Sequence, residues 1–123
     1  TEEETTMTYV DGFLLAVPVK KLAAYRRMSA KAGKVWKDHG ALEYRECVGD
    51  DVNVKWGIPF PKRVKPKRGE VVVFSWIVYK SRAHRDRILP KIMQDKRLKM
   101  DPKSTPFDMK RMSYGGFKVI VDM

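Results

Sequence analysis

Three observations in this 123-residue sequence predict an α+β fold of a single domain. Apolar and β-branched residues alternate or run together in four short segments, apolar residues recur at spacings of three and four in two others, and the two kinds of segment interleave. The length fits one domain with one core and has no room for a second of ordinary size.

The first strand is Tyr9 to Val17 (YVDGFLLAV), which Pro18 ends. From about Lys20 the period changes. Leu22, Tyr25, Met28, Ala32, Val35 and Trp36 form one apolar stripe on a helix, bases occupy the rest of its circumference, and Gly40 is its expected stop. Ala41 to Val48 alternates as a second strand, with Leu42, Tyr44, Glu46 and Val48 on one face and Glu43, Arg45 and Cys47 on the other. Residues 49–69 hold so many glycines and prolines that they predict a long loop without a helix. Glu70 to Tyr79 (EVVVFSWIVY) is apolar on both faces, as a central strand would be. Ser81 is the expected N-cap of a helix from about Arg82 to Lys96, with Ile88, Leu89, Ile92 and Met93 inward and a kink or break near Pro90. Arg111 to Val121 closes the chain as a fourth strand, bent or bulged at Gly115-Gly116. Residues 1–6 (TEEETT) are set aside as an extension or expression remnant, leaving 7–123 as the domain.

The resulting order, βαββαβ, is ferredoxin-like: an antiparallel sheet with two helices on one face. The other face then poses a problem. Strands one and three are apolar on both sides, yet two helices cover only one of them. A bare apolar face marks an interface, and a symmetric homodimer packed sheet to sheet resolves it.

The sequence carries 26 Lys+Arg against 15 Asp+Glu, a net charge of +11. The excess is local, because residues 1–61 balance to zero. Lys62, Arg63, Lys65, Lys67 and Arg68 form one basic run, and residues 80–99 carry +6. Such runs are usually solvated surface, and they can also attract polyanions non-specifically. Sequence-reading of RNA is not expected, because the third strand lacks the basic and glycine opening of RNA-recognition modules. No apolar run is long enough for a membrane span. A lone cysteine, Cys47, excludes an internal disulfide and, with no leader-like start, points to the cytoplasm.

Metal and cofactor chemistry find little support. His39, His84 and Cys47 show no ligand spacing, so no metal and no cofactor are expected. His84 is expected on the solvated side of its helix, and His39 at the carbonyl end of the first helix. Cys47 reads as a small buried hydrophobe. Asp11 and Glu46 are more informative, being acids within otherwise apolar strands, where a buried charge needs a partner. They are expected either to pair with Lys110 and Arg111 or to point into a pocket walled by Tyr44, Trp76 and Tyr114.

Several segments also resemble a known family. Tyr9-Val10-Asp11-Gly12-Phe13, Gly40-Ala41-Leu42, Glu46-Cys47, Val73-Phe74-Ser75-Trp76, Pro106-Phe107-Asp108-Met109-Lys110-Arg111-Met112 and Tyr114-Gly115-Gly116-Phe117 are similar, in this order, to the YbaA-like family (domain of unknown function 1428). The resemblance implies a ferredoxin-like fold of the dimeric α/β-barrel superfamily in bacterial cytoplasmic proteins, and no particular activity. Members of that superfamily include cofactor-independent monooxygenases, isomerases, decarboxylases and haem binders, with ligands held between sheet and helices. Pro90 and the basic second helix depart from the family pattern. The expected function is binding of a small aromatic or anionic molecule between sheet and helices. The alternatives are a cofactor-independent monooxygenase- or isomerase-like enzyme, and a polyanion binder acting through residues 62–68 and 80–99.

Overall fold

The computed structural model describes residues 7–99 and 104–123; the first six residues, set aside above, lie outside them. Its elements are β1 (Tyr9–Pro18), α1 (Leu22–Asp38), β2 (Glu43–Val48), a short α2 (Phe60–Val64), β3 (Glu70–Tyr79), α3 (Arg82–Met93) and β4 (Ser113–Lys118). The four strands form one antiparallel sheet in the order β2-β3-β1-β4. The fold is therefore α+β, with the two strands that are apolar on both sides at its centre.

Pairing register decides which side chains share a face. Asp11 lies opposite Ile77 and Gly116, and Glu46 lies opposite Ser75. Odd-numbered residues of β1 and β3 thus point the same way as Tyr44, Glu46 and Val48. That face holds the core. Tyr9, Ile77 and Tyr79 pack with Val35 of α1 and with Ile88 and Ile92 of α3, so both long helices cover one side of the sheet. Leu15, Val17 and Val73 continue the core beneath Tyr25.

Side chains of the opposite face are Val10, Leu14, Phe74, Trp76, Val78 and Phe117. No long helix lies there. Phe117 is 62% exposed and Phe74 44%, and Phe74 touches only Trp76 and Phe60 of α2 by ring contact. Trp56, on the loop before α2, is 89% exposed.

Helix α1 fits against β2 through a glycine. A Cβ on Gly33 would stand 2.7 Å from the Tyr44 ring, so a side chain is excluded and the ring lies directly on the helix backbone. Gly116 plays the same part at the other edge, where a Cβ would overlap the Tyr9 ring. This close approach replaces the bulge expected at Gly115-Gly116. The β1–β4 register is unbroken from Tyr9–Lys118 to Leu14–Ser113, and the strand is shorter than expected, ending at Lys118 after a 3-10 turn at Met109–Arg111.

Five further expectations need correction. The segment 49–69 does contain a helix, α2, because Pro61 sits in its first turn, where no amide is needed, and Lys65 closes it in the left-handed conformation at φ 54°. Pro90 does not break α3. It lies in the last turn on an exposed side, and the helix continues through it to Met93, short of the expected Lys96. Met93, expected inward, is largely exposed, whereas His84, expected in solvent, is buried. The His84 backbone amide donates to the Ser81 hydroxyl as the expected N-cap requires, and its ring meets Tyr79 edge-on. Burial, with the charges of Arg87 and Lys80, lowers the His84 pKa below its ordinary value.

The Gly33–Tyr44 contact makes a direct prediction. Gly33→Val should cost about 1–3 kcal/mol of unfolding free energy in urea, the usual penalty for overpacking. Most of that cost should vanish in a Tyr44→Ala background, where the ring is gone. An equal cost in both backgrounds would show that the ring is not what requires the glycine.

Candidate functional site

A half-open cavity of about 470 Å³ lies between the sheet and its two long helices. Its floor is the odd-numbered face of β1 and β3, its roof includes Met28 and Trp36 of α1 and Leu89 of α3, and Phe107 and Met112 close one end. Four of the expected pocket residues, Asp11, Tyr44, Glu46 and Tyr114, line it. Tyr114 reaches it from the exposed edge strand, stacked with Phe13 at 6.0 Å between centroids.

Two carboxyls stand on its floor. Asp11 lies on β1 and Glu46 on β2, with β3 between them and an offset of two residues in register, so roughly 12 Å separates their backbones.

Asp11 is 7% exposed and is held by residues from two other elements. Tyr79 of β3 hydrogen-bonds its carboxyl, while the Tyr79 hydroxyl accepts from Trp36 Nε1 at 3.1 Å. Arg85 of α3 approaches at 3.9 Å, donates to the Tyr9 hydroxyl at 3.3 Å and lies over that ring at 5.0 Å. Burial raises the Asp11 pKa above its ordinary 3.8; the Tyr79 hydrogen bond and the Arg85 charge oppose the rise without cancelling it. Burial also keeps the Tyr79 hydroxyl protonated far above its usual range, so it remains a donor to the carboxylate.

Glu46 has a different setting. Ser29 of α1 donates to it at 2.9 Å, and the Tyr25 hydroxyl hydrogen-bonds the same carboxylate. Burial raises the hydroxyl pKa of Tyr25 and Tyr44 well above 10, so both remain neutral. Glu46 therefore sits among neutral hydroxyls, without a basic side chain at bonding distance.

The remaining expected pocket residues are elsewhere. Trp76 has even parity on β3, so it projects from the open face, where its indole donates to Glu43 at 2.9 Å. Lys110 is exposed and does not line the cavity. Arg111 is engaged by Glu70 in a two-pronged ion pair at 2.8 and 2.9 Å, which lowers the Glu70 pKa to about 2. Neither base pairs with Asp11 or Glu46; their 3-10 turn precedes β4 near the end of the sheet that carries Glu70. The residues missed in the sequence are Arg85, Tyr79, Trp36 and Ser29. Arg85 is one base in a strongly basic helix, and only the packing of α3 over Tyr9 distinguishes it.

Other candidate chemistry is likewise located. His39 does not cap α1 with its ring, which meets Asp95 at 3.0 Å instead. Lys62, Arg63, Lys65, Lys67 and Arg68 are all exposed, on α2 and the turn after it. Among the described residues no group of three or more His, Cys, Asp or Glu side chains is arranged to hold a metal ion. No helix among them is long and apolar enough to cross a membrane.

A pH prediction follows from the Asp11 environment. A carboxyl with a raised pKa in the folded state holds its proton there more tightly than in the unfolded chain. Its contribution to stability is complete below its ordinary 3.8 and is lost as pH rises through the raised value. Asp11→Asn should remove this loss, so its unfolding free energy relative to the parent should improve as pH rises from 4 to 7. A difference independent of pH would show that Asp11 titrates as it does in the unfolded chain.

Comparison with known proteins places the chain in a family. The family described as "Protein of unknown function (DUF1428)" matches residues 8–109. The chain is 49% identical over 116 residues to "Uncharacterized protein YbaA" of Escherichia coli (strain K12), covering 94% of this chain and 99% of that one. The protein of that name from Shigella flexneri matches to the same extent. Among solved structures, "De novo designed protein Foldit4" aligns with a TM-score of 0.41 at 15% identity, covering 94% of this chain and 98% of that one. With its match extending from β1 to the turn before β4, the chain belongs to the DUF1428 family.

Proposed function

We propose that this protein binds a small, largely aromatic molecule bearing a hydroxyl or amine in the cavity between sheet and helices. The observation that carries the reading is the pair of anchored carboxyls, Asp11 and Glu46, set in an otherwise apolar and aromatic chamber. A chamber of about 470 Å³ is within the range of small-molecule sites. Of the two ligand classes expected from the sequence, the electrostatics favour the aromatic over the anionic. Among the described residues Arg85 is the one base lining the cavity and already faces Asp11, whereas Glu46 has only the hydroxyls of Ser29 and Tyr25 as hydrogen-bond donors. A hydrogen-bond donor on the ligand would meet acceptors at both ends.

A second reading, an isomerase- or cofactor-independent monooxygenase-like enzyme, draws support from Asp11. A carboxyl whose pKa lies above the ordinary range is better matched to moving a proton near neutrality. Ligand binding is the requirement common to both readings. It can be tested by calorimetry with 2-naphthol, 2-naphthylamine and naphthalene-2-sulfonate, which share one ring system. The neutral donors should bind about tenfold or more tightly than the sulfonate, and Ala32→Phe, which fills the roof, should abolish binding. Preference for the sulfonate, or binding that survives Ala32→Phe, would overturn the proposal.

We read the fold as ferredoxin-like and the working unit as a cytoplasmic homodimer of the α/β-barrel kind. The strand order β2-β3-β1-β4 with both helices on one face supports the first. The exposed Phe74 and Phe117, beside half-buried Leu14 and Trp76, support the second, because they form the apolar surface that a second copy would cover. Sedimentation should give twice the 14.3 kDa chain mass at micromolar concentration, and Phe74→Arg with Phe117→Glu should return it to one chain. A parent protein that sediments as a monomer would refute this.

A further inference from the structure

A second concavity lies outside the central cavity. It is an open groove of about 1000 Å³ between α1 and β2, on the helix side of the sheet. Its floor is apolar, formed by Leu22, Tyr25, Val48 and Val73, and its rim carries Arg26, Arg27, Lys34 and Lys37. Among the described residues Glu46 is the one acid along it, its carboxylate accepting from the hydroxyls of Ser29 and Tyr25. Lys37 reaches the Leu42 carbonyl at 2.8 Å, while Arg26, Arg27 and Lys34 stand exposed along the groove. The groove is therefore strongly cationic at its rim.

Strand β2 is an edge of the sheet, and its pairing leaves one set of backbone groups free. The Gly49 amide donates to the Val72 carbonyl, one step beyond the last register pair, Val48 and Val73. Hydrogen-bonded pairs alternate along an antiparallel ladder, so Cys47, Arg45 and Glu43 are the residues bonded to β3. Tyr44, Glu46 and Val48 direct their amides and carbonyls outward, along the groove. An unpaired edge of this kind is a template for another strand.

We propose that the α1–β2 groove receives an extended acidic segment of a partner protein, which pairs as an added strand with the free edge of β2. Backbone bonds to Tyr44, Glu46 and Val48 would hold the segment. Its alternate side chains, Asp or Glu, would face the helix side and meet Arg26, Arg27 and Lys34, while the residues between them would face the open side of the sheet. The free backbone edge selects a peptide over a nucleic acid, because phosphate-backbone binding has no use for a row of alternating donors and acceptors. The groove lies on the opposite side of the sheet from Phe74 and Phe117.

The test is fluorescence anisotropy with a labelled peptide of about eight alternating Glu and Val residues, titrated with the full chain at low salt. Saturable binding is expected, weakened about tenfold or more by Arg26→Glu, Arg27→Glu and Lys34→Glu together. These three residues are exposed, and an unchanged thermal transition would show that the variant is folded. Two further peptides, N-methylated at one or the other alternate set of residues, keep the test independent of any variant. Methylation of the set facing β2 should abolish binding, while methylation of the other set should leave it. Equal binding of both methylated peptides, no saturation by about 1 mM, or displacement of the peptide by a single-stranded oligothymidine with the same sensitivity to charge reversal would each overturn the proposal.

Discussion

Side chains along β1 and β3 must alternate between two faces, and only one of those faces has helices to cover it. Most other features of the molecule depend on this constraint. Odd-numbered positions enter a core that α1 and α3 seal, where a tyrosine, an aspartate or an arginine must find partners. Even-numbered positions form a broad apolar surface under no long helix, with only Phe60 of α2 against one part of it. Asp11 and Trp76 show how sharp the division is. Their strands are hydrogen-bonded neighbours and their positions nearly adjacent, yet one side chain faces the cavity and the other the open face.

Within the core, polar contacts do what apolar packing alone would leave loose. The sequence Trp36, Tyr79, Asp11, Arg85, Tyr9 joins α1, β3, β1, α3 and β1 again through side-chain hydrogen bonds and an ion pair. Ser29 and Tyr25 tie the other end of α1 to Glu46 of β2. Helix α1 thus has specified partners at both ends of the cavity, so the roof and the floor hold a fixed relation. A chamber lined only by methyl groups would gain more from collapse.

Much of the architecture was legible in the amino-acid pattern, because strand alternation and helical periodicity are direct records of which face is buried. The six-element order, the Ser81 cap, and the shared face of Tyr44, Glu46 and Val48 all come from that record. The errors have local causes. Pro61 looks like a breaker by composition, yet it occupies the first turn of α2, where its missing amide costs nothing. Gly115-Gly116 suggested a bulge, whereas Gly116 makes room for a ring brought in by a residue more than a hundred positions away. At the site, the two acids stood out because charge within an apolar strand is costly. Their partners did not, because Arg85 and Ser29 belong to helices whose rotation about the sheet is set only by tertiary packing. Trp76 was assigned to the wrong wall for a related reason: alternation separates two faces without saying which one the helices cover.

The distribution of tryptophan has an optical consequence. The chain has three, and each occupies a different compartment. Trp36 is in the roof of the cavity with its indole on Tyr79, Trp56 is in solvent on the loop before α2, and Trp76 lies on the open face of the sheet against Phe74. The intrinsic emission of the protein is therefore the sum of three reporters of distinct polarity. A single-tryptophan series made by replacing two at a time would separate the chamber, the loop and the sheet surface into three independent signals, with no dye attached.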